Sequence, residues 1–241
     1  MPNWSYNNIV FKGSREDILA LINEGLKNSG FISNNEFDVE HLDKALEALQ
    51  KVAKHKTSRG DSTKPKKVTL EDGLTLRTFL PMPDTYLIYD TTNYASKFPE
   101  AVKEQKEKYG IVGWYSYNLD TLGCKWDSDI ESIQLHFLSN GRAAIDIYCE
   151  TPWSLPEQFI DTIAEKFNLS PCYLAEEEGG FYYFYQCENE DGTVFKDVLP
   201  EISELSEKVD FSDSDQEQQF WEDRGELSDR IIDEFYDQAL K

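Results

Sequence analysis

The residue types best able to do chemistry fall in two stretches. Residues 113–127 read GWYSYNLDTLGCKWD, and another tryptophan follows at 153. Trp114, Tyr115, Asn118, Lys125, Trp126, Asp127 and Trp153 form a candidate ligand-binding set. Indole faces stack on a flat or apolar group, while Lys125 and Asp127 supply directional polar contacts. The same types also suit a structural corner, in which tryptophans bury area and a Lys–Asp salt bridge closes the segment; this is the commoner use of such residues. The second stretch is acidic. Asp213, Asp215, Glu217, Glu222, Asp223 and Glu226 form a candidate partner-binding array, because carboxylates at such spacing can imitate the phosphates of DNA and engage a basic cleft.

Other candidates carry less. Cys124, Cys149, Cys172 and Cys187 contain no CxxC pair. The last three lie in strand-like segments, where cysteine acts as a small core hydrophobe. His41, His55 and His136 are far apart in sequence. Glu176-Glu177-Glu178-Gly179-Gly180 reads as a solvated hairpin tip, since adjacent strand residues point to opposite faces. Asp127, Asp129 and Glu131 alternate as a loop cation site would, but without the glycine of an EF-hand. No P-loop, GxSxG, HExxH or GxGxxG pattern occurs. The sequence therefore assigns no catalytic residue, metal or cofactor, and leans away from an enzyme.

Composition narrows the partners. The 241 residues hold 46 acids and 24 bases, a net charge of −22. Nucleic-acid binding needs cations to neutralise phosphates, so direct binding to DNA or RNA is disfavoured. Anionic membranes are disfavoured for the same reason. No apolar run is long enough to span a bilayer, and MPNWSYNN lacks a signal-peptide plan, which points to the cytoplasm. The charge is uneven. Residues 188–241 hold 18 acids and 5 bases, a net of −13, whereas residues 51–67 hold seven bases and one acid, a net of +6.

These residues need elements to position them. YNNIVFK (6–12) reads as a first strand, and Ser14-x-x-Asp17 as a capping box opening a helix with Ile18, Leu19, Ile22 and Leu26 on one face. A second helix is expected over 39–54 and an exposed loop over 51–67. A third helix should run from Pro99 to Gly110, and a short aromatic one should end near Gly123. SIQLHFL (132–138) alternates with Ile133, Leu135 and Phe137 inward, and AAIDIYC returns after an Asn140-Gly141 turn. Ser154-x-x-Glu157 reads as a second capping box. Pro171–Glu177 and Phe181–Cys187 read as a hairpin. Ser228 is a plausible cap for a last amphipathic helix carrying Ile231, Ile232, Phe235, Tyr236, Ala239 and Leu240, which should dock on its own domain or on a partner.

The order fits the split β-α-β plan of an α+β, ferredoxin-like antiparallel sheet, with helices on one face and one extra hairpin strand. The domain spans 1–195, with a helical insertion at about 31–125 after the first helix. An acidic helical tail covers 196–241. His136 then points to the sheet's open side with Asp146, Tyr148, Tyr182 and Phe184.

Several phrases together resemble one family. They are MPNW with Asn7-Asn8, Pro81-Met82-Pro83, Gly123-Cys124-Lys125-Trp126-Asp127, and Thr151-Pro152-Trp153-Ser154-x-Pro156. Residues 1–195 thereby resemble the YubB-type ferredoxin-like family of uncharacterised plasmid and phage proteins. Two departures stand out. Ser5 replaces the family's usual Cys after MPNW, and Leu122-Gly123-Cys124-Lys125-Trp126 replaces Trp-Gly-Thr-Lys-Trp. The resemblance implies the fold and a mobile-element origin, and it transfers no catalytic residues. Two functions are then expected to compete: an acidic, DNA-mimicking or anti-defence binder of a host protein, and a small-ligand or nucleotide-binding module built on the tryptophans.

Overall fold

The computed structural model describes residues 3–29, 37–53, 74–83, 86 and 98–241. The basic loop expected over 51–67 lies almost wholly outside the described residues. Strand β1 (Trp4–Ser14) leads into helix α1 (Arg15–Asn28). Ser14 caps α1 as expected: its Oγ accepts the Asp17 N–H at 3.1 Å and donates to Asp17 Oδ2 at 2.7 Å. Helix α2 (Leu42–Ala53), the single turn α3 (Leu76–Phe79), α4 (Pro99–Tyr109) and α5 (Trp114–Thr121) follow. Pro99 opens α4, and left-handed Gly110 closes it. Then come β2 (Ile130–Phe137), β3 (Arg142–Pro152), α6 (Glu157–Phe167), β4 (Ser170–Glu177), β5 (Tyr183–Asn189), β6 (Gly192–Asp197), α7 (Leu199–Ser206) and α8 (Ser214–Ala239).

The strands form one antiparallel sheet in the order β2-β3-β1-β4-β5-β6. The first four positions are those of a ferredoxin-like sandwich, with α1 and α6 as its two crossovers. Strand β6 was not anticipated. It crosses the residue-195 boundary that composition suggested, because a short, exposed strand leaves little periodic signal.

Helices α1 and α6 cover one face of the sheet. Ile9 and Phe11 of β1 and Ala143, Ile145, Ile147 and Cys149 of β3 meet Ile18, Ile22, Phe159, Ile160 and Ile163 there. The insertion extends this layer: Leu46 and Leu49 of α2 and Phe79 of α3 join it, and Gln50 Nε2 donates to Ile133 O at 2.9 Å. Gly25 permits that approach, since a Cβ there would stand 2.8 Å from the Phe79 ring.

The opposite face is not open. Val10, Ala144, Cys172, Leu174, Tyr183, Tyr185 and Cys187 form a second core under Leu227, Ile231, Phe235 and Ala239 of α8. The tail helix thus docks on its own domain, on the face that α1 and α6 leave bare. Burying each large side chain there contributes roughly 1.5–3 kcal/mol. The helix also starts earlier than Ser228 suggested. Asp213 is its cap, accepting N–H bonds from Asp215 (3.0 Å) and Gln216 (3.4 Å).

Other corrections are local. Tyr182 and Phe184 pack on the α1/α6 face, and it is Tyr183 and Tyr185 that share the face of His136. Phe137 is exposed, with the Arg15 guanidinium 5.0 Å from its ring, because β2 ends the sheet beyond the cover of α1. Ser154 does not cap α6; its Oγ donates to Gly123 O at 2.8 Å. The Glu176–Glu178 tip is not simply solvated: Glu177 is buried and accepts from Phe181 N (3.2 Å), while Glu176 pairs with Arg224 of α8. Among the described residues no helix is long and apolar enough to cross a membrane.

Candidate functional site

The tryptophan set rests on a buried polar chain at the ends of β1 and β3. Tyr182 OH donates to Ser5 Oγ at 2.7 Å, and Ser5 Oγ donates to Asn7 Oδ1 at 2.7 Å. Asn7 Nδ2 donates to Thr151 Oγ1 at 2.9 Å. Thr151 Oγ1 donates to Ser154 O at 2.6 Å, and Ser154 continues to Gly123 O. Ser5, Asn7 and Thr151 are fully buried, so each bond spares a large desolvation cost. The Ser5 hydroxyl both donates and accepts in this chain of bonds.

Between Thr151 and Ser154 the chain makes a sharp corner at Trp153. Its φ is +66°, its N–H donates to Asn3 O at 2.9 Å, and 45% of the residue is exposed. A bulky residue in the left-handed region is strained by about 1–3 kcal/mol. The corner aims its ring at Trp126, with centroids 5.5 Å apart and planes at 34°.

Trp126 is held from the other side. Left-handed Gly123 lets the chain leave α5 close to α6, where a Cβ would meet Gln158 Oε1 at 2.1 Å. Asn118 brackets the segment: its Nδ2 donates to Lys125 O at 2.9 Å, and its Oδ1 accepts from Arg77 Nη2 at 2.6 Å. Asp127 Oδ1 accepts the N–H groups of Arg77 (3.1 Å) and Ser128 (3.0 Å). Burial lowers the pKa of Arg77, and the nearby Asp127 carboxylate partly opposes that shift.

Lys125 completes the arrangement. Its Nζ lies 4.6 Å from the Trp126 ring centre, 4.8 Å from Trp153 and 5.9 Å from Tyr115. Each such contact contributes about 0.5–1 kcal/mol at an exposed site. The Lys125 ammonium therefore sits over rings, and the expected Lys125–Asp127 closure gives way to Asp127 binding backbone N–H groups. Of the seven expected residues, Tyr115, Lys125, Trp126 and Trp153 come together at the surface. Asn118 lies beneath as a support, Asp127 braces the backbone from an exposed position, and Trp114 stands edge-on behind Tyr115 at 6.0 Å. The result is an aromatic platform with one cation on it, suited to stacking on a flat group.

The acidic residues occupy the first half of α8. Glu217 and Glu222 flank Trp221, which is 54% exposed, along a shallow depression also lined by Ser214 and Gln218. Trp221 lies 5.1 Å from the buried Phe220, which packs on exposed Phe211, and the Arg224 guanidinium stands 5.5 Å over the Trp221 ring. Asp223 and Glu226 face elsewhere, lining a groove of about 430 Å³ between α7 and α8. Asp213 is spent as the helix cap, and Asp215 lies in the first turn. The six carboxylates thus form a display along a fixed helix and do not converge on a point. Among the described residues no cluster of three His, Cys, Asp or Glu is placed to hold a metal.

Sequence reasoning put His136 and Asp146 on one face but missed the tail residue that joins them. Tyr236 OH of α8 donates to Asp146 Oδ2 at 2.8 Å, and His136 Nε2 lies 3.7 Å from the same oxygen. Burial raises the Asp146 pKa, with Tyr236 and His136 opposing. His136 belongs to the interface between sheet and tail, not to an open face. The signal was available: Asp146 and Tyr236 both sit at positions whose apolar neighbours point inward.

With this geometry in place, the comparisons with known proteins become informative. Residues 125–222 match the family model of the ferredoxin-like domain in Api92-like protein. The match bears out the ferredoxin-like reading over the segment from Lys125 through β2–β6 into α8. It contains Lys125, Trp126, Trp153 and Trp221, and it reaches into the tail that sequence phrases had left outside the resemblance. Trp114, Tyr115 and Asn118 precede it. The chain is also similar to the crystal structure of protein api92 from Yersinia pseudotuberculosis, at 11% identity and a TM-score of 0.34, over 82% of this chain and 98% of that one. Among curated proteins none matches.

Proposed function

We propose that the chain is a protein-binding module that works inside the cell through the acidic, aromatic face of α8. One observation carries this reading: Trp221 stands exposed on a helix anchored to the sheet, between Glu217 and Glu222. An exposed tryptophan on a rigid support is the residue type that dominates interface energies. The surrounding carboxylates select a basic partner and speed its capture. The partner chemistry that fits is a DNA-binding surface of another protein, which the carboxylates approach as phosphates would. The resemblance to plasmid and phage proteins supports taking that partner as a host defence or regulatory protein.

A competition assay tests the proposal. The protein is titrated against a panel of host nucleases, methylases and repressors holding labelled duplex DNA, at low and moderate salt. Displacement from at least one of them, weakened by salt and abolished by Trp221→Ala with Glu217→Lys and Glu222→Lys, is expected. Failure to displace DNA from any of them, or displacement unaffected by the triple variant, refutes it.

The positive φ of Trp153 favours a second reading, in which the Tyr115/Lys125/Trp126/Trp153 platform binds a planar anionic small molecule such as a nucleotide. Ligand stacking should quench tryptophan emission and raise the melting temperature. A nucleotide and metabolite screen without either effect counts against it.

A further inference from the structure

Lys12, Cys172 and Cys187 lie together under the C-terminal end of α8, away from both surfaces described above. Cys172 of β4 and Cys187 of β5 are directly opposed in the ladder and face the same core. The hairpin closes with Glu177 N–H donating to Tyr182 O at 2.9 Å. Alternation from that bond makes Cys172–Cys187 a non-hydrogen-bonded pair, in which Cα atoms stand about 4.5 Å apart and side chains approach most closely. That spacing lies within the range a disulfide tolerates. Both thiols are free and fully buried.

The surroundings are not those of inert core thiols. Lys12 of β1 is fully buried beside them, and its Nζ donates to Asn189 Oδ1 at 2.6 Å. Cys172 Sγ itself lies 4.0 Å from Glu188 O, the residue before Asn189. A hydrogen bond from Cys187, with the Lys12 ammonium adding to it, lowers the Cys172 pKa, while the Cys187 thiol is pushed up as the donor of that bond. Cys124 and Cys149 provide the contrast: burial is the largest influence on both, it raises both, and it pushes Cys124 up to about 12. Lys12, the neighbour of the pair, also lines a cleft of about 430 Å³ together with Ser170, Glu188, Asn189 and Gln238.

We propose that Cys172 and Cys187 are a redox-active dithiol that hydrogen peroxide oxidises to a cross-strand disulfide. The Cys172 thiolate attacks one peroxide oxygen, and the O–O bond breaks. Sulfur is oxidised to a sulfenic acid, and the departing hydroxide takes a proton to become water. The Cys187 sulfur then attacks the sulfenic sulfur. An S–S bond forms, the S–O bond breaks, and the hydroxyl leaves with the Cys187 proton as a second water. Lys12 stabilises the thiolate that starts the sequence.

Hydrogen peroxide applied to the reduced full-length protein tests this. Peptide mapping after alkylation of the remaining thiols should show Cys172 and Cys187 joined, with the loss of two hydrogens, while Cys124 and Cys149 remain alkylatable. Lys12→Met should slow the reaction by about tenfold. Because that variant also perturbs a buried site, the comparison among the four cysteines of the unaltered protein stands as the independent arm. Oxidation that appears at all four cysteines alike, or that stops at sulfinic or sulfonic acid on Cys172 without a bridge, overturns the proposal.

Discussion

Trp153 offers a measurement whose sign is fixed by one dihedral angle. At an ordinary position glycine is less stabilising than alanine by about 0.4–1 kcal/mol, because the unfolded glycine chain has more freedom to lose. Trp153 has φ = +66°. An alanine there keeps a left-handed penalty of about 1–2 kcal/mol that glycine escapes. The two effects oppose, and the larger one wins: Trp153→Gly should be more stable than Trp153→Ala by up to about 1.6 kcal/mol. Both variants lose the same contacts, namely the Trp126 ring at 5.5 Å and the Lys125 ammonium at 4.8 Å. Their difference therefore isolates the backbone term. Urea denaturation of the two variants side by side, with equal slopes, reads it directly. If Trp153→Ala proves more stable by about 0.5 kcal/mol or more, the ordinary order, the corner stores no strain and the argument for a built platform falls.

Two further outcomes follow from the second core. Phe235 is fully buried and packs on Tyr185 at 6.2 Å, so Phe235→Ala should cost about 3–5 kcal/mol. Hydrogen exchange should then show α8 losing protection before the sheet; uniform loss would mean that the helix and sheet unfold as one unit. Asp146 has a folded pKa raised by burial, so its charged form weakens the fold, and the protein should gain stability relative to Asp146→Asn as pH falls through that raised value toward the ordinary carboxylate range. A stability difference between the two that stays flat with pH, measured by urea titration, would show that Asp146 is not desolvated in solution.

Most of the α1/α6 side of the fold was legible in the sequence. Period-two patterns in 132–138 and 143–149 and period-3.6 patterns in 18–26 and 159–167 each reflect one buried face, which is the kind of signal patterning carries. The second core was legible only in part. Ile9, Val10 and Phe11 are three consecutive buried apolar residues, a run that belongs to a strand covered on both faces. Strict alternation would bury Ile9 and Phe11 and leave Val10 facing solvent, so its burial requires cover on the far face. The candidate platform was legible as a set of residue types, but not as an arrangement. Asn118 and Asp127 became supports because backbone N–H and C=O groups at a chain reversal need partners, and a short polar side chain nearby supplies them. Ser5, Asn7 and Thr151 left a trace that went unused: they continue the inward parity of Ile9 and of Ile147 while being polar. Polar residues at inward strand positions announce a buried hydrogen-bonded chain.

The second core joins residues from the two ends of the sequence, Val10 of β1 and Ala239 of α8. During synthesis the four strands of that face, β1, β3, β4 and β5, must wait, uncovered, until residues 227–239 have been made. Such long-range closure slows folding and leaves an apolar surface open to wrong partners in the meantime. A shortened chain ending near residue 195 would stay in that waiting state, because it would lose the cover and cut β6 in mid-strand. The acidic helix is thus also a latch: its apolar side closes the second core, and most of its carboxylates stay on the outside.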